Sequence, residues 1–317
     1  MSKPIKLRPR RIRHSKMRVR ESISLLILCI PTIFLTIMFS YVPMYGVTLA
    51  FKNYKIPHGI LGSAWQDPWY KNFQFLVESN YAWRMTRNTI GLNMLFIVTT
   101  MAAAVAFALM MYEVKKRAHV KAYQTVSILP SFLSWIAVSY IVYALLEPGK
   151  GIINQIIIAF GGEGLPWYSE PKYWPWILMI VRIWHGTGYA SIIYYASLMG
   201  IDDSMLEAAE LDGANKWQRI RYIFIPHLTG LMLIRFILNV GSIFHADFGL
   251  FYNVTRNIGK LYPTTDVIDS FIYRTMMDSA NFTLSSAASV VQSVVGTLLL
   301  LLTNFIVKKI DPDKALF

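Results

Sequence analysis

An all-α membrane protein with six spanning helices is the fold class the sequence predicts, and three observations predict it. Of the 317 residues, 55% are hydrophobic and only 15% charged, where a soluble domain of this size carries about a quarter charged. The mean hydropathy is positive, +0.41. Apolar runs of the required length recur six times, at about 22–45, 86–112, 122–146, 174–199, 228–248 and 284–307. A helix rising 1.5 Å per residue needs about 20 such residues to cross a hydrocarbon layer about 30 Å thick. The aromatic and aliphatic mass also excludes a disordered basic chain.

The first run follows a basic segment, 1–21, that contains Arg8-Pro-Arg-Arg-Ile-Arg. A basic block directly before a span is what membrane orientation requires, so no nucleic acid is expected as a partner; the bilayer is. The run is too long for a signal peptide and no small-residue cleavage site follows it, so it is expected to stay in place. It holds Cys29, the single cysteine, which excludes an internal disulfide and a cysteine metal site. Pro31 and Pro130 fall inside the first and third runs, where neighbouring helices support kinks. The fourth and fifth runs are the least apolar, interrupted by Arg182 and His185 and by Arg235 and Asn239. The sixth ends before a short tail, 308–317.

Six crossings place both termini on one side. The 31 Lys and Arg divide as nineteen on the terminal side, nine on the opposite side and three (Arg87, Arg182, Arg235) inside spans. The terminal side is therefore expected to be the cytoplasm. Most of the +13 formal charge is topology rather than ligand recognition. The opposite-side segments, 46–85 and 147–173, are rich in Gly, Pro, Trp and Tyr and read as ordered turns and short interfacial helices.

Within the 22–307 unit, the loop 200–227 between the fourth and fifth runs runs against the inside trend, with five acids and three bases. Ser204 with Glu207 spells a capping box behind Asp202 and Asp203, so a helix is expected to begin near Met205. Gly213 suits the left-handed stop. A second helix is expected from about Asn215 to Phe224, ended by Pro226. The first helix is too short to be stable alone. Leu206, Ala209 and Gly213 share one face, and small Ala208 and Ala209 permit close approach, so the helix reads as a docking element.

Glu207-Ala-Ala, then three residues, Gly213, then nine residues and Ile223-Phe-Ile-Pro226 resembles the EAA loop of bacterial ABC importer permeases, with Ile225 where leucine is usual. Asp212-Gly-Ala with Trp217-Gln is similar to the carbohydrate-uptake branch. Tyr41-Val-Pro-Met-Tyr-Gly, Ala50-Phe-Lys-Asn-Tyr and Ile183-Trp-His-Gly-Thr-Gly-Tyr are similar to permeases for poly- and oligosaccharides, including the maltose and alginate importers. The resemblance implies a type I ABC importer permease fold in the bacterial inner membrane. It also implies a second homologous permease subunit, two ATP-binding cassette subunits and an extracytoplasmic solute-binding protein as partners. Glu207, Ala208, Ala209 and Gly213 would be the coupling contacts, with Leu211 and Asp212 beside them, and ATP and Mg would be held by the partner subunits. The residues agree with that division: neither Gly149-Lys150 nor Gly259-Lys260 completes a G-x-x-x-x-G-K-[ST] loop.

Ionisable residues inside spans are costly and are candidates for a substrate path. Arg182, His185 and Tyr189 share a helical face, and Trp184 offers a stacking surface for sugar rings. Arg235 and Asn239 interrupt the fifth run. Arg182 and Arg235, with no intramembrane carboxylate nearby except Asp247 near the outer end, suggest an acidic, alginate-like oligosaccharide. A secondary transporter or channel for small polar solutes is the rival class; the near absence of intramembrane acids and of an inverted repeat argues against it. His119, His185, His227 and His245 lack metal-ligand spacing, which argues against an enzyme.

Overall fold

The computed structural model describes residues 16–310 and divides the chain into two units, one ending at Thr48 and one beginning at Leu49. The first contains helix α1, Lys16–Thr36, which continues through a π-turn, Ile37–Tyr41, into 3-10 structure, Val42–Phe51. Helix therefore starts inside the segment expected to be a basic tail; residues 1–15 and 311–317 lie outside the described residues. Pro31 sits within α1 without ending it.

The second unit has, in order, α2 Lys71–Glu78, α3 Asn80–Tyr112, α4 Arg117–Ile128, α5 Trp135–Leu146, α6 Ile152–Ala159 and α7 Trp174–Leu198. There follow α8 Asp203–Leu211, α9 Lys216–Gly241, α10 Ile268–Met277 and α11 Phe282–Ile310, with one-turn helices between. No strand occurs among the described residues beyond an isolated Lys52–Trp65 bridge.

Serines set two helix starts. Ser79 accepts from the Ala82 N–H at 3.1 Å to open α3, and Ser134 accepts from the Ala137 N–H at 3.3 Å to open α5. Small residues bring α3 and α7 together: Ala104, Ala108 and Ser191 are all fully buried. Gly188 is required on α7, because a Cβ there would lie 1.9 Å from the Ser127 carbonyl of α4. Buried Tyr194, Leu198, Phe224 and Leu228 complete that cluster. A second one gathers Trp174, Leu178, Val142 and Phe251.

Four stretches combine the length and apolarity of a membrane span: 23–51, α3, α9 and 282–309. The third expected run is not one kinked helix. Leu133 is extended and Ser134 caps a new start, so the segment bends by 98° between Arg117–Phe132 and Trp135–Leu146. Counted as a single span it makes five. The fourth run is the 25-residue α7, long enough to cross, whose polar and aromatic side chains leave it short of the apolarity of the others. The six-span expectation thus stands at four, or five with the bent pair.

Two boundaries also shift. The fifth run was expected to reach residue 248, but α9 ends at Gly241 and a turn leads to a π-segment, Gly249–Val254. That break is held from outside: the Ala246 N–H donates to Asp269 Oδ2 at 2.7 Å, and Gln292 Nε2 donates to Phe244 O at 2.5 Å and to Asp269 at 3.0 Å. Pro226 does not end the helix after Asn215. It follows a π-turn in which the Ile225 N–H bonds Ile220 O, five residues back, so a residue without an N–H is tolerated and α9 runs on.

Candidate functional site

Residues of α3, α7, α9 and the turn after α9 enclose a cavity of about 490 Å³, inside the about 300–1,000 Å³ range of ligand sites. Arg182, His185 and Tyr189 line it from α7, and Arg235 and Asn239 from α9, so five of the six path candidates share one space. Trp184 is not among the lining residues; one position from His185's neighbour face, it is 43% exposed elsewhere on α7.

The two arginines differ. Arg182 Nη1 donates to Asp247 Oδ2 at 2.5 Å, an ion pair that ties α7 to the turn after α9. In the sequence Asp247 is the one acid near these arginines, at the outer end of the fifth run, and 65 residues separate it from Arg182, so spacing alone does not pair them. Arg235 has no carboxylate within 4.0 Å among the described residues, and its guanidinium lies 5.8 Å from the Tyr194 ring centroid. One formal positive charge on the cavity wall is thus left without an acid.

His185 is doubly held. Its Nε2–H donates to Leu133 O at 3.2 Å, and its ring stacks on Trp135 at 4.1 Å. These partners flank the break between α4 and α5, so His185 secures the 98° bend as well as facing the cavity. Asn93 and Thr100 of α3, two turns apart, also line it; Asn93 Nδ2 donates to Ile243 O at 2.6 Å. Sequence reasoning passed over both, although polar residues seven apart inside an apolar span are a detectable signal.

At the other end of α7 lies the loop element α8. Asp202, not Ser204, is its N-cap: the Ser204 N–H donates to Asp202 Oδ1 at 3.0 Å and holds that carboxyl below the usual aspartate range. Gly213 takes φ +74°, and the Ala214 N–H returns to Ala209 O at 2.9 Å. Asn215 and Gln218 then form the capping box that opens α9. The expected docking face, Leu206 with Ala209 and Gly213, is partly turned inward. Leu206 packs on the Tyr194–Leu198–Phe224 cluster, whereas Glu207, Ala208, Asp212 and, at 90% exposure, Leu211 face outward. Among the described residues no group of three or more His, Cys, Asp or Glu is placed to hold a metal ion.

A cavity walled by long apolar helices, with an exposed short helix on the loop at one end, defines a membrane transport subunit. The chain belongs to the family of binding-protein-dependent transport system inner membrane components, which matches residues 104–315. Protein LplB of Bacillus subtilis is 30% identical over 91% of this chain and 90% of its own length. The polygalacturonan/rhamnogalacturonan transport system permease protein YteP of the same organism is 28% identical over 91% and 89%. A chain of a bacterial ABC transporter involved in import of the acidic polysaccharide alginate superposes with a TM-score of 0.83 at 27% identity, over 93% of this chain and 98% of that one. The alginate transporter in complex with an alginate pentasaccharide-bound periplasmic protein gives the same score and identity, covering 94% and 98%. The protein is an ABC importer permease of the sugar and polysaccharide group, with the type I fold.

Proposed function

We propose that this permease subunit carries acidic oligosaccharides into the cytoplasm, and the observation that carries the proposal is Arg235. Among the described residues no acid lies within 4.0 Å of Arg235, while Asp247 pairs Arg182. A uronate carboxylate 4 Å from it would gain about 4 kcal/mol at an effective dielectric of about 20, against about 1 kcal/mol in water. A neutral sugar gains no such term. The similarity to YteP, a polygalacturonan/rhamnogalacturonan permease, and to the importer of the acidic polysaccharide alginate supports the reading.

In this reading both termini are cytoplasmic. A second permease subunit completes the pathway, an extracytoplasmic solute-binding protein delivers substrate, and two cassette subunits bind ATP and Mg. Glu207, Ala208, Leu211, Asp212 and Gly213 on the outward side of the α8 turn are the contacts to a cassette subunit, with Ala209 at the edge. Closure of the cassettes displaces α8 and switches the cavity from one side of the membrane to the other.

The test is uptake of oligogalacturonate and of a neutral oligosaccharide by cells carrying Arg235→Ala. Loss of one charged hydrogen-bonding partner predicts about tenfold or more slower uptake of the acidic sugar alone. Equal losses for both sugars would defeat the acidic assignment.

A further inference from the structure

One guanidinium joins three elements at the loop end. Arg219, in the first turn of α9, donates through Nη1 to Glu210 Oε1 of α8 at 2.6 Å. Its Nη2 lies 3.8 Å from Oε1 of Glu113, the residue that caps the C-terminus of α3, and Lys216 Nζ lies 2.9 Å from the other Glu113 oxygen. The Arg219 side chain is only 17% exposed, while Glu210 is 65% exposed.

The charges sit against the intrinsic preferences of their own helices. An acid at the C-terminus of α3 and two bases in the first turn of α9 each oppose the helix dipole. They are favourable only towards one another, across the junction. Leu206 gives α8 an apolar contact that tolerates sliding; the 2.6 Å charge-assisted hydrogen bond from Arg219 to Glu210 fixes distance and direction on the α8 side, and the 3.8 Å ion pair to Glu113, with Lys216 at 2.9 Å beside it, holds the α3 side. The α3 helix reached this way packs along α7 and carries Asn93, Thr100 and Met101 of the cavity wall.

We infer that Arg219 is a positioning residue that transmits displacement of α8 to α3 and so to the cavity. This rests on the coupling reading above and adds the route within this chain. Without Arg219, α8 keeps its outward contacts and its Leu206 packing, and its displacement reaches α3 more weakly.

The experiment uses the intact transporter, isolated from its host through a tag on this chain. Cys29→Ser and Met101→Cys are introduced, and labelling of the α3 thiol by a charged maleimide is timed with and without ATP and vanadate. In that parent, nucleotide trapping changes the labelling rate. Adding Arg219→Ala is expected to leave the cassette subunits bound while the trapping-dependent change shrinks about fivefold or more, the scale of a typical coupling between sites. Arg219→Lys, which retains charge but reaches one carboxylate, restores part of it. Glu210→Gln removes the charge from the α8 link at an exposed side chain, leaving only a neutral acceptor, and serves if Arg219→Ala fails to insert. It should shrink the response less than Arg219→Ala, but measurably. An undiminished response with Arg219→Ala, or with Glu210→Gln in its place, overturns the inference. Loss of the cassette subunits in the Arg219→Ala protein overturns it too, because that is docking, not transmission. If Glu207→Lys leaves both cassette binding and the trapping response intact, the coupling reading itself fails.

Discussion

The cavity and the α8 loop are built on opposite plans. In the cavity, several polar groups are matched internally, Arg182 with Asp247, His185 with Leu133 and Trp135, Asn93 with Ile243, while among the described residues Arg235 has no acid and the buried Thr100 hydroxyl no hydrogen-bond partner. On the loop, the internal pairs lie at the root, through Arg219, Glu113 and Glu210, while Glu207, Ala208, Leu211 and Asp212 face outward. An apolar surrounding penalises an unmatched polar atom, whereas an aqueous face carries no such penalty, so the two regions meet opposite demands: pairing inside the cavity, solvent exposure on the loop.

The largest effect expected from breaking this contrast is on the loop. Gly213 stands at φ +74°, which proline, locked near −65°, cannot adopt. Gly213→Pro should abolish ATP-driven uptake in cells while the protein still inserts at normal levels by immunoblot. Uptake near the parent rate would show that the α8 turn is not needed for coupling.

An intermediate effect is expected in the cavity. Asp247→Asn leaves Arg182 unpaired between α7 and the turn after α9. Removing one partner of a fully buried pair costs about 3–5 kcal/mol, and this pair, with side chains 36% and 29% exposed, should lose less, about 1–2 kcal/mol. A lowered Tm in detergent checks this, with Arg182→Ala/Asp247→Ala recovering part of the loss. If Asp247→Asn leaves Tm unchanged, the pair is no tie between the two elements.

The smallest effect belongs to the cap. Asp202 is held below its usual range by the Ser204 N–H, so its contribution to α8 is present above its ordinary pKa of 3.8 and lost as pH falls through the lower folded value. Asp202→Ala should speed amide hydrogen exchange in the first turn of α8 at neutral pH, and Asp202→Asn should not. Equal exchange in all three proteins would remove Asp202 as the cap.

How much of this was legible in sequence depends on range. Gly213, the Asn215 start and the shared faces of Arg182, His185 and Tyr189 and of Arg235 and Asn239 follow from spacing within one or two turns, which local geometry fixes; that the two faces line one cavity does not. The bend at Leu133–Ser134 was missed because Pro130 draws attention to a kink, while the deciding cap is a serine and the deciding support, His185, lies 52 residues away. Leu206 was read as outward because helical spacing shows which residues share a face, not which way that face turns. Asp247 was visible as the one nearby acid, but its pairing with Arg182 was not, because the two stand on separate elements.

By itself the sequence determined an all-helical membrane chain, the α8 loop with its glycine stop, and the presence of costly charges inside spans, because composition and short-range periodicity carry that information. Only the tertiary structure decided which arginine is neutralised, which face of α8 is exposed, and that Arg219 lies between α8 and α3. Each is a pairing between groups distant in the chain, and partners at 2.5–3.8 Å are chosen by packing rather than by spacing.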